Sequence, residues 1–346
     1  MTNRKAVAEA YGKFQAAMDG NLRARADVAE SLTTSDFPVL LGRAYGDKLQ
    51  ASYQTITPVW QQYASRVTVP NFLPQKLVQI LGGQRGLSRV PEATEYPASD
   101  LAEIVTDFKV EKYGERIPLT WEMVVNDQLG AFRGLDQRLA AEARDQEGIV
   151  TASALLKADR SDVNTEFFKA ANGNAPQNVP LTVDNLKSAI SALSQKKNEN
   201  GQVIVRPNLV LVVPPTLEWE AKAVLAATEV STTVDGVTTK TTNPVANVMP
   251  LVVDPNLLLN THSKAATTWY IVAAPNAVRP SLITGFLAGH EAPELRVKAD
   301  TGNRAGGGSI APEEGSFDDD TIQYRVRHVI GASVADPTFT FVSRGA

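Results

Sequence analysis

Apolar residues recur at helical spacing in three stretches of the chain. In 1–30, Val7, Tyr11, Phe14 and Met18 form a narrow stripe among Arg4, Lys5, Lys13, Arg23, Arg25 and interspersed acids. This predicts a helix too polar to stand without a surface that covers its stripe. In 121–157, Leu129, Phe132, Leu135, Leu139, Ala143 and Val150 mark one face, with Ile149 beside it. Arg133, Gln137, Arg138, Glu142, Arg144 and Glu147 fall among the polar positions, and Gln146 interrupts the stripe. Unbroken from 130 to 157, such a helix is roughly 40 Å long at about 1.5 Å per residue. Gly134 and Gly148 each weaken it by roughly 1 kcal/mol relative to alanine, so two helices with a break are the alternative. In the third stretch, Thr182 offers a cap to a helix with Leu186, Ile190 and Leu193 on one face.

Strand signals are concentrated beyond residue 200. Leu209–Val213 is a continuous apolar run of the kind that is buried on both faces. Pro214-Pro215-Thr216 ends it and opens a helix through Trp219, Ala223 and Leu225. Asp235-Gly236 between Thr/Val runs predicts a projecting hairpin over 231–242. Met249–Val253, Trp269–Ala273, Glu294–Lys298, Thr321–Ala332 and Thr338–Val342 complete the set. Earlier, Ala102–Lys109 and Glu111–Leu119 predict a two-stranded ribbon with too little apolar content to be stable alone. Residues 31–85 have no clean period. Pro38, Pro58, Pro70 and Pro74 punctuate a run of scattered aromatics, Phe37, Tyr45, Tyr53, Trp60, Tyr63 and Phe72. An extended strap fits this, with short helices around 39–54 and 74–81. Residues 301–320 read as a loop with five acids against Arg304.

Length and composition narrow the class. At 346 residues there is room for about two domains, and 43% hydrophobic content suffices for a core. Lys+Arg of 34 against Asp+Glu of 38 gives a net charge of −4, which argues against a protein whose main task is gripping nucleic acid. The chain has no cysteine, which removes disulfides, thiolate nucleophiles and Cys-based metal sites. No apolar run reaches the roughly 18 residues of a membrane span. The N-terminus lacks a secretory h-region, so an intracellular origin is expected.

Candidate chemistry is sparse. Gly306-Gly307-Gly308-Ser309 is not followed by Lys-Ser/Thr, so it lacks the features of a phosphate loop. His290-Glu291 runs into Ala-Pro-Glu, and Pro293 breaks the helix that a zinc motif needs. His328 reads as a half-exposed strand residue and His262 as a surface one. Asp318-Asp319-Asp320 lacks the spacing of a calcium loop. No catalytic residue, cofactor or metal is expected. Straps, a ribbon and a long helix are costly to order unless other chains cover them, which favours an interaction protein over an enzyme. A monomeric hydrolase with dispersed carboxylates is the alternative from another class.

Several stretches, in order from about residue 60 to 346, resemble the major capsid proteins of tailed double-stranded DNA bacteriophages. They are Val67–Phe72 with Val90–Tyr96, Tyr113–Thr120 and Val125–Asp127. Leu209–Leu217, Asn243-Pro-Val, Leu251–Asn256 and Trp269-Tyr-Ile follow, then Phe286–Gly289, Ala292–Glu294 and Tyr324–Gly331. The resemblance implies the α+β, HK-ninety-seven-like capsid fold. It implies an N-arm over 1–60, a connecting segment over 61–85 and an extension loop over 86–119. A peripheral domain with a long spine helix would cover 120–175 and 300–346, and an axial domain 176–299. It further implies a non-enzymatic subunit that self-assembles into pentamers and hexamers of an icosahedral shell around packaged DNA, held without tight binding. Portal and scaffold or decoration proteins would be partners, no membrane is involved, and assembly would occur in the host bacterial cytoplasm. Implied subunit contacts are Glu95, Tyr96, Phe108, Lys109, Lys112, Tyr113 and Arg116 of the extension loop and Phe37, Tyr53 and Trp60 of the N-arm. Deleting 95–118 is then expected to leave a folded subunit that cannot form shells. An encapsulin-like container, which shares the fold class, is the second structural reading.

Overall fold

The computed structural model describes residues 37–82, 89–92, 94–95, 101–120, 134–197, 201–234, 237–298 and 321–345. In chain order its elements begin with helix α1 (Phe37–Thr55) and strands β1 (Ser65–Val69), β2 (Gln75–Gly82), β3 (Leu101–Phe108) and β4 (Glu111–Thr120). Helices α2 (Leu135–Ser153) and α3 (Val183–Ser194), strand β5 (Leu209–Val213) and helix α4 (Glu218–Ala226) follow. The remainder is β6 (Glu229–Val234), β7 (Val237–Thr242), β8 (Leu251–Val253), β9 (Trp269–Ala273), β10 (Leu282–Leu287), β11 (Glu294–Val297), β12 (Thr321–Val334) and β13 (Phe341–Ser343). The predicted helix over 1–30, the acidic loop 301–320 and residues 121–133 lie outside the described residues.

The chain divides into two compact units. The larger comprises Pro58–Glu111, Gln146–Ala288 and Ile330–Ala346. Its main sheet has the order β13-β9-β5-β8, with β5 parallel to β8 and antiparallel to β9. All five residues of both β5 and β9 are buried, which is why these strands read as unbroken apolar runs. Helix α3 starts where the sequence predicts, with the Asn185 N–H donating to Thr182 Oγ1 at 3.3 Å. Its Leu186, Ala189 and Leu193 pack with Leu211, Ile271 and Phe339. Helix α4 turns Ala221, Val224 and Leu225 into this core, whereas Trp219 is 75% exposed. The hairpin β6–β7 forms as predicted, in register from Glu229↔Thr242 to Val234↔Val237, and makes its own two-stranded sheet.

The ribbon differs from expectation. β3 pairs antiparallel with β2, from Gln75↔Phe108 to Gly82↔Leu101, so 75–82 is a strand and not a helix. β4 pairs with β12 instead of β3. Two glycines show why the chain parts company at Lys109. An added Cβ on Gly285 would lie 2.2 Å from Phe108 Cζ, and one on Gly331 would lie 2.1 Å from the Lys109 carbonyl oxygen. Phe108 and Lys109 thus pass directly over bare backbone of β10 and β12, and the strand direction is committed there. β10 itself pairs parallel with β1 and antiparallel with the end of β12. Neither β1 nor β10 is evident from the sequence, because Gly285 interrupts β10 and β1 is half polar.

The smaller unit comprises Met1–Thr57, Lys112–Asp145 and Gly289–Val329. Within it β11 pairs antiparallel with β12, from Glu294↔Arg327 to Val297↔Tyr324. Leu49 and Tyr53 of α1 and Leu139, Ala140 and Ala143 of α2 pack on Val326, with Ile117 and Leu295 alongside. Pro38 sits in the first turn of α1, where a missing N–H costs nothing, so the proline does not stop this helix. Helix α2 is 19 residues, about 28 Å, and belongs to the smaller unit through Asp145 and to the larger from Gln146. Its buried positions include Asp136, Leu139, Ala140, Ala143, Glu147 and Thr151, while Ile149 and Val150 are only half-buried. Glu147 is fully buried, contrary to its place among the expected polar positions.

Candidate assembly surfaces

The residues expected to contact other subunits separate by burial. Trp60 is fully buried; its Nε1–H donates to Glu147 Oε2 at 2.8 Å, and its ring lies 5.9 Å from that of Phe286. Phe108 is buried against Gly285. Tyr53 is buried too. Its hydroxyl donates to the Glu291 carbonyl at 3.2 Å, and the Arg144 guanidinium sits 3.5 Å above its ring. These three aromatics serve the chain's own packing. Glu95, Lys109, Lys112 and Arg116 are exposed, Tyr113 is half-buried, and Lys109 pairs with Glu111 at 2.7 Å. Phe37 begins α1 but its side chain is outside the described residues, as is Tyr96. Exposed apolar side chains outside the expected set include Trp219, Leu73 (67%) and Val278 (89%).

Buried polar groups, which sequence reasoning missed, fix several loops. The Tyr63 hydroxyl donates to Asp254 Oδ2 at 2.6 Å, and Asp254 Oδ1 accepts from the Asn256 N–H at 2.9 Å. Burial pushes the Tyr63 phenol well up, and the adjacent Asp254 carboxylate adds to this. Burial also raises Asp254, against the bonds it accepts. The signal for this cap was present in Asp254-Pro255, an Asx residue before a proline at the first position of a helical turn. At the chain's end, Arg344 grips Asp162 through two bonds of 2.9 and 2.7 Å. Burial acts to raise Asp162, but this pairing and the Val163 N–H outweigh it and hold it below the usual range.

In the smaller unit Glu294 is the hub of a charged cluster. It accepts from Arg327 at 2.6 Å and Arg296 at 3.0 Å and also bonds His290. Burial works to raise its carboxyl, yet these three partners hold it at about 2. His328, expected to be half-exposed, is 3% exposed and meets Tyr53 edge-on. Among the described residues no group of three or more His, Asp or Glu side chains could hold a metal ion, and no helix is long and apolar enough to cross a membrane.

Residues 103–343 match the family model described as phage capsid protein. The chain belongs to that family. It is a structural subunit of a viral capsid, and its interacting surfaces are its functional site. No curated protein matches this capsid protein in sequence. Solved structures resemble it at low identity. Gordonia phage Cozz is 15% identical, with 82% of this chain and 84% of that one covered and a TM-score of 0.47. The mature capsid of bacteriophage PhiM1 is 8% identical, with 84% and 88% covered and a TM-score of 0.48. The holo-SrpI encapsulin complex of Synechococcus elongatus is 12% identical, with 84% and 88% covered and a TM-score of 0.45.

Proposed function

We propose that this capsid protein assembles with copies of itself, as pentamers and hexamers, into an icosahedral shell enclosing a packaged double-stranded DNA genome. It performs no catalysis. The family match across 103–343 is the observation that carries the reading. Self-assembly is supported by the contrast between side chains used internally and those left outward. Glu95, Lys109, Lys112 and Arg116 are exposed near the ribbon and on β4, and Leu73 stands exposed just before β2. We assign 1–60 to the N-arm, 61–85 to a connecting segment, 86–119 to the extension loop, 176–299 to the axial domain, and 120–175 with 300–346 to the peripheral domain. Portal and scaffold or decoration proteins complete the partner set, and assembly takes place in the host cytoplasm. Modest contacts repeated over many copies add up to a stable closed particle.

The test is electron microscopy of the purified protein with light scattering on the same sample. Closed shells, or rings of five and six subunits, are expected. A chain that stays monomeric even with its scaffold and portal partners would sink the reading. Particles that enclose an enzyme and no genomic DNA would assign it to an encapsulin-like container.

A further inference from the structure

Exposed apolar side chains of the larger unit collect at the two ends of its main sheet. At one end β5 and β8 begin and β9 stops. The Ala274 N–H donates to the Asn208 carbonyl at 2.8 Å and the Leu211 N–H to that of Pro250 at 3.0 Å, which brings the three flanking loops together there. These loops carry Val205 (69% exposed), Val278 (89%), Val203 (40%) and Val248 (39%). The exposed residues beside them, Asn208, Pro244, Asn247, Pro250 and Asn276, are uncharged. Lys197, bridged to Val203, is exposed at the margin, and Arg279 is held by Asp336 at 3.4 Å. Asn247 and Asn276 are two of the three non-glycine residues with positive φ among the described residues, at 50° and 62°. Their N–H groups donate to the Leu225 carbonyl and to Ser65 Oγ, both at 3.0 Å. Val248 and Val278 thus stand on turns of a costly backbone conformation that the surroundings pin, a mark of functional positions. Branched at Cβ, a valine also loses little rotamer freedom when it is covered.

At the opposite end β5 and β8 stop and β9 begins. Trp219, in the first turn of α4, is 75% exposed, and Leu258, five residues past β8, is 43% exposed. Thr216 Oγ1 donates to the Ala266 carbonyl at 2.5 Å, which ties the entry of α4 to the loop before β9. Each end also holds a charge with no counter-ion. Glu220, exposed next to Trp219, and Arg206, half-buried next to Val205, form no ion pair among the described residues. We propose that the valine end of one copy docks on the Trp219 end of a second copy, a head-to-tail contact between larger units. A valine-to-valine pairing would leave Trp219 and Glu220 uncovered, whereas the head-to-tail contact covers both ends and sets Arg206 against Glu220. An uncharged apolar floor is what an interface core requires, and tryptophan is among its commonest anchors. Four valines against one tryptophan fall short of the roughly 800 Å² per partner of a stable free pair. Such a contact suits an assembly that repeats it, and head-to-tail contacts close into rings where the rotation allows. The inference rests on the capsid reading for the identity of the partner, a second copy of this chain.

The chain has no cysteine, so introduced thiols report alone. Val205→Cys and Ala223→Cys are combined in one full-length chain; Ala223 is exposed one turn beyond Trp219 on the same face of α4. The protein is treated with a short bismaleimide at the concentration used for microscopy and separated on denaturing gels. V205C/A223C should give a ladder ending at five and six chains, and V205C alone none. V205C with S188C, on the exposed face of α3, should give none either. Trp219→Ala should raise the concentration needed for assembly about tenfold, with thermal melting as in wild type because the side chain is exposed. R206E and E220R, introduced into the V205C/A223C chain, should each thin the ladder, and the two together should restore it. Dimers from V205C alone would mean a valine-to-valine contact and overturn the proposal, as would an equal ladder from the S188C control. Closed shells without the ladder would leave the capsid reading standing and remove this contact. A ladder from a chain that never closes into shells would do the reverse, and a monomer without cross-links would remove both.

Discussion

Glu294 ties three cationic side chains together with a carboxyl held at about 2, below its ordinary 4.5. A depressed carboxyl stabilises the fold fully above its unfolded value and progressively less as pH falls toward its folded one. The smaller unit should therefore lose stability between about pH 4.5 and 2, visible in acid-unfolding curves. Glu294→Gln should flatten that fall, at a cost of about 1 kcal/mol at neutral pH once solvent screening is counted. A steric counterpart lies in the larger unit. Gly331→Ala drives a methyl into the Lys109 carbonyl and should destabilise by roughly 2–3 kcal/mol in a denaturant titration. At Gly285 the obstacle is a side chain. The cost of Gly285→Ala should shrink in a Phe108→Leu background, and a double-mutant cycle that came out additive would contradict the contact.

At the scale of elements, local signals served where local forces decide. The Thr182 cap, the β5 and β9 runs and the Asp235-Gly236 hairpin are set by neighbours in sequence, and all three were legible. The ribbon was misread because its pairing is decided elsewhere. Phe108 docks on Gly285 and Lys109 crosses Gly331, contacts that no window of the sequence displays. Glu147 and Asp254 were illegible as core residues for the same reason, since their partners Trp60 and Tyr63 come from a distant turn. Of the residues expected at subunit contacts, Glu95, Lys109, Lys112 and Arg116 are exposed, whereas Tyr53, Trp60 and Phe108 turn inward because their partners are distant in sequence. This alters the deletion experiment. Removing 95–118 also removes Phe108 and Val110, each 1% exposed, so folding itself should fail. Replacing 79–104 by Asn-Gly closes the ribbon across Val78↔Val105 and keeps Phe108. That variant should melt close to wild type and sediment without forming shells; normal shells would remove the ribbon from assembly.

For the whole molecule, net charge concealed more than it revealed. Residues 301–320, with five acids against Arg304, carry the whole of the −4, and the rest of the chain is balanced at 34 − 1 = 33 cations against 38 − 5 = 33 anions. Association of subunits that depends on apolar contact should be little affected, or strengthened, between 50 and 500 mM salt. Association through exposed charges such as Lys109, Lys112 and Arg116 should weaken over the same range. Light scattering across that range separates the two, and a decline with salt would mean that charge drives assembly.

The hairpin β6–β7 offers a different use. Two residues stand between Val234 and Val237, and among the described residues β6 and β7 pair only with each other. A foreign peptide grafted between those valines interrupts no hydrogen bond of the β5 sheet, so the host fold has no reason to reject it. On a particle built from many copies, one such graft becomes a dense, regularly spaced array, which is the arrangement that multivalent receptors and antibodies read best.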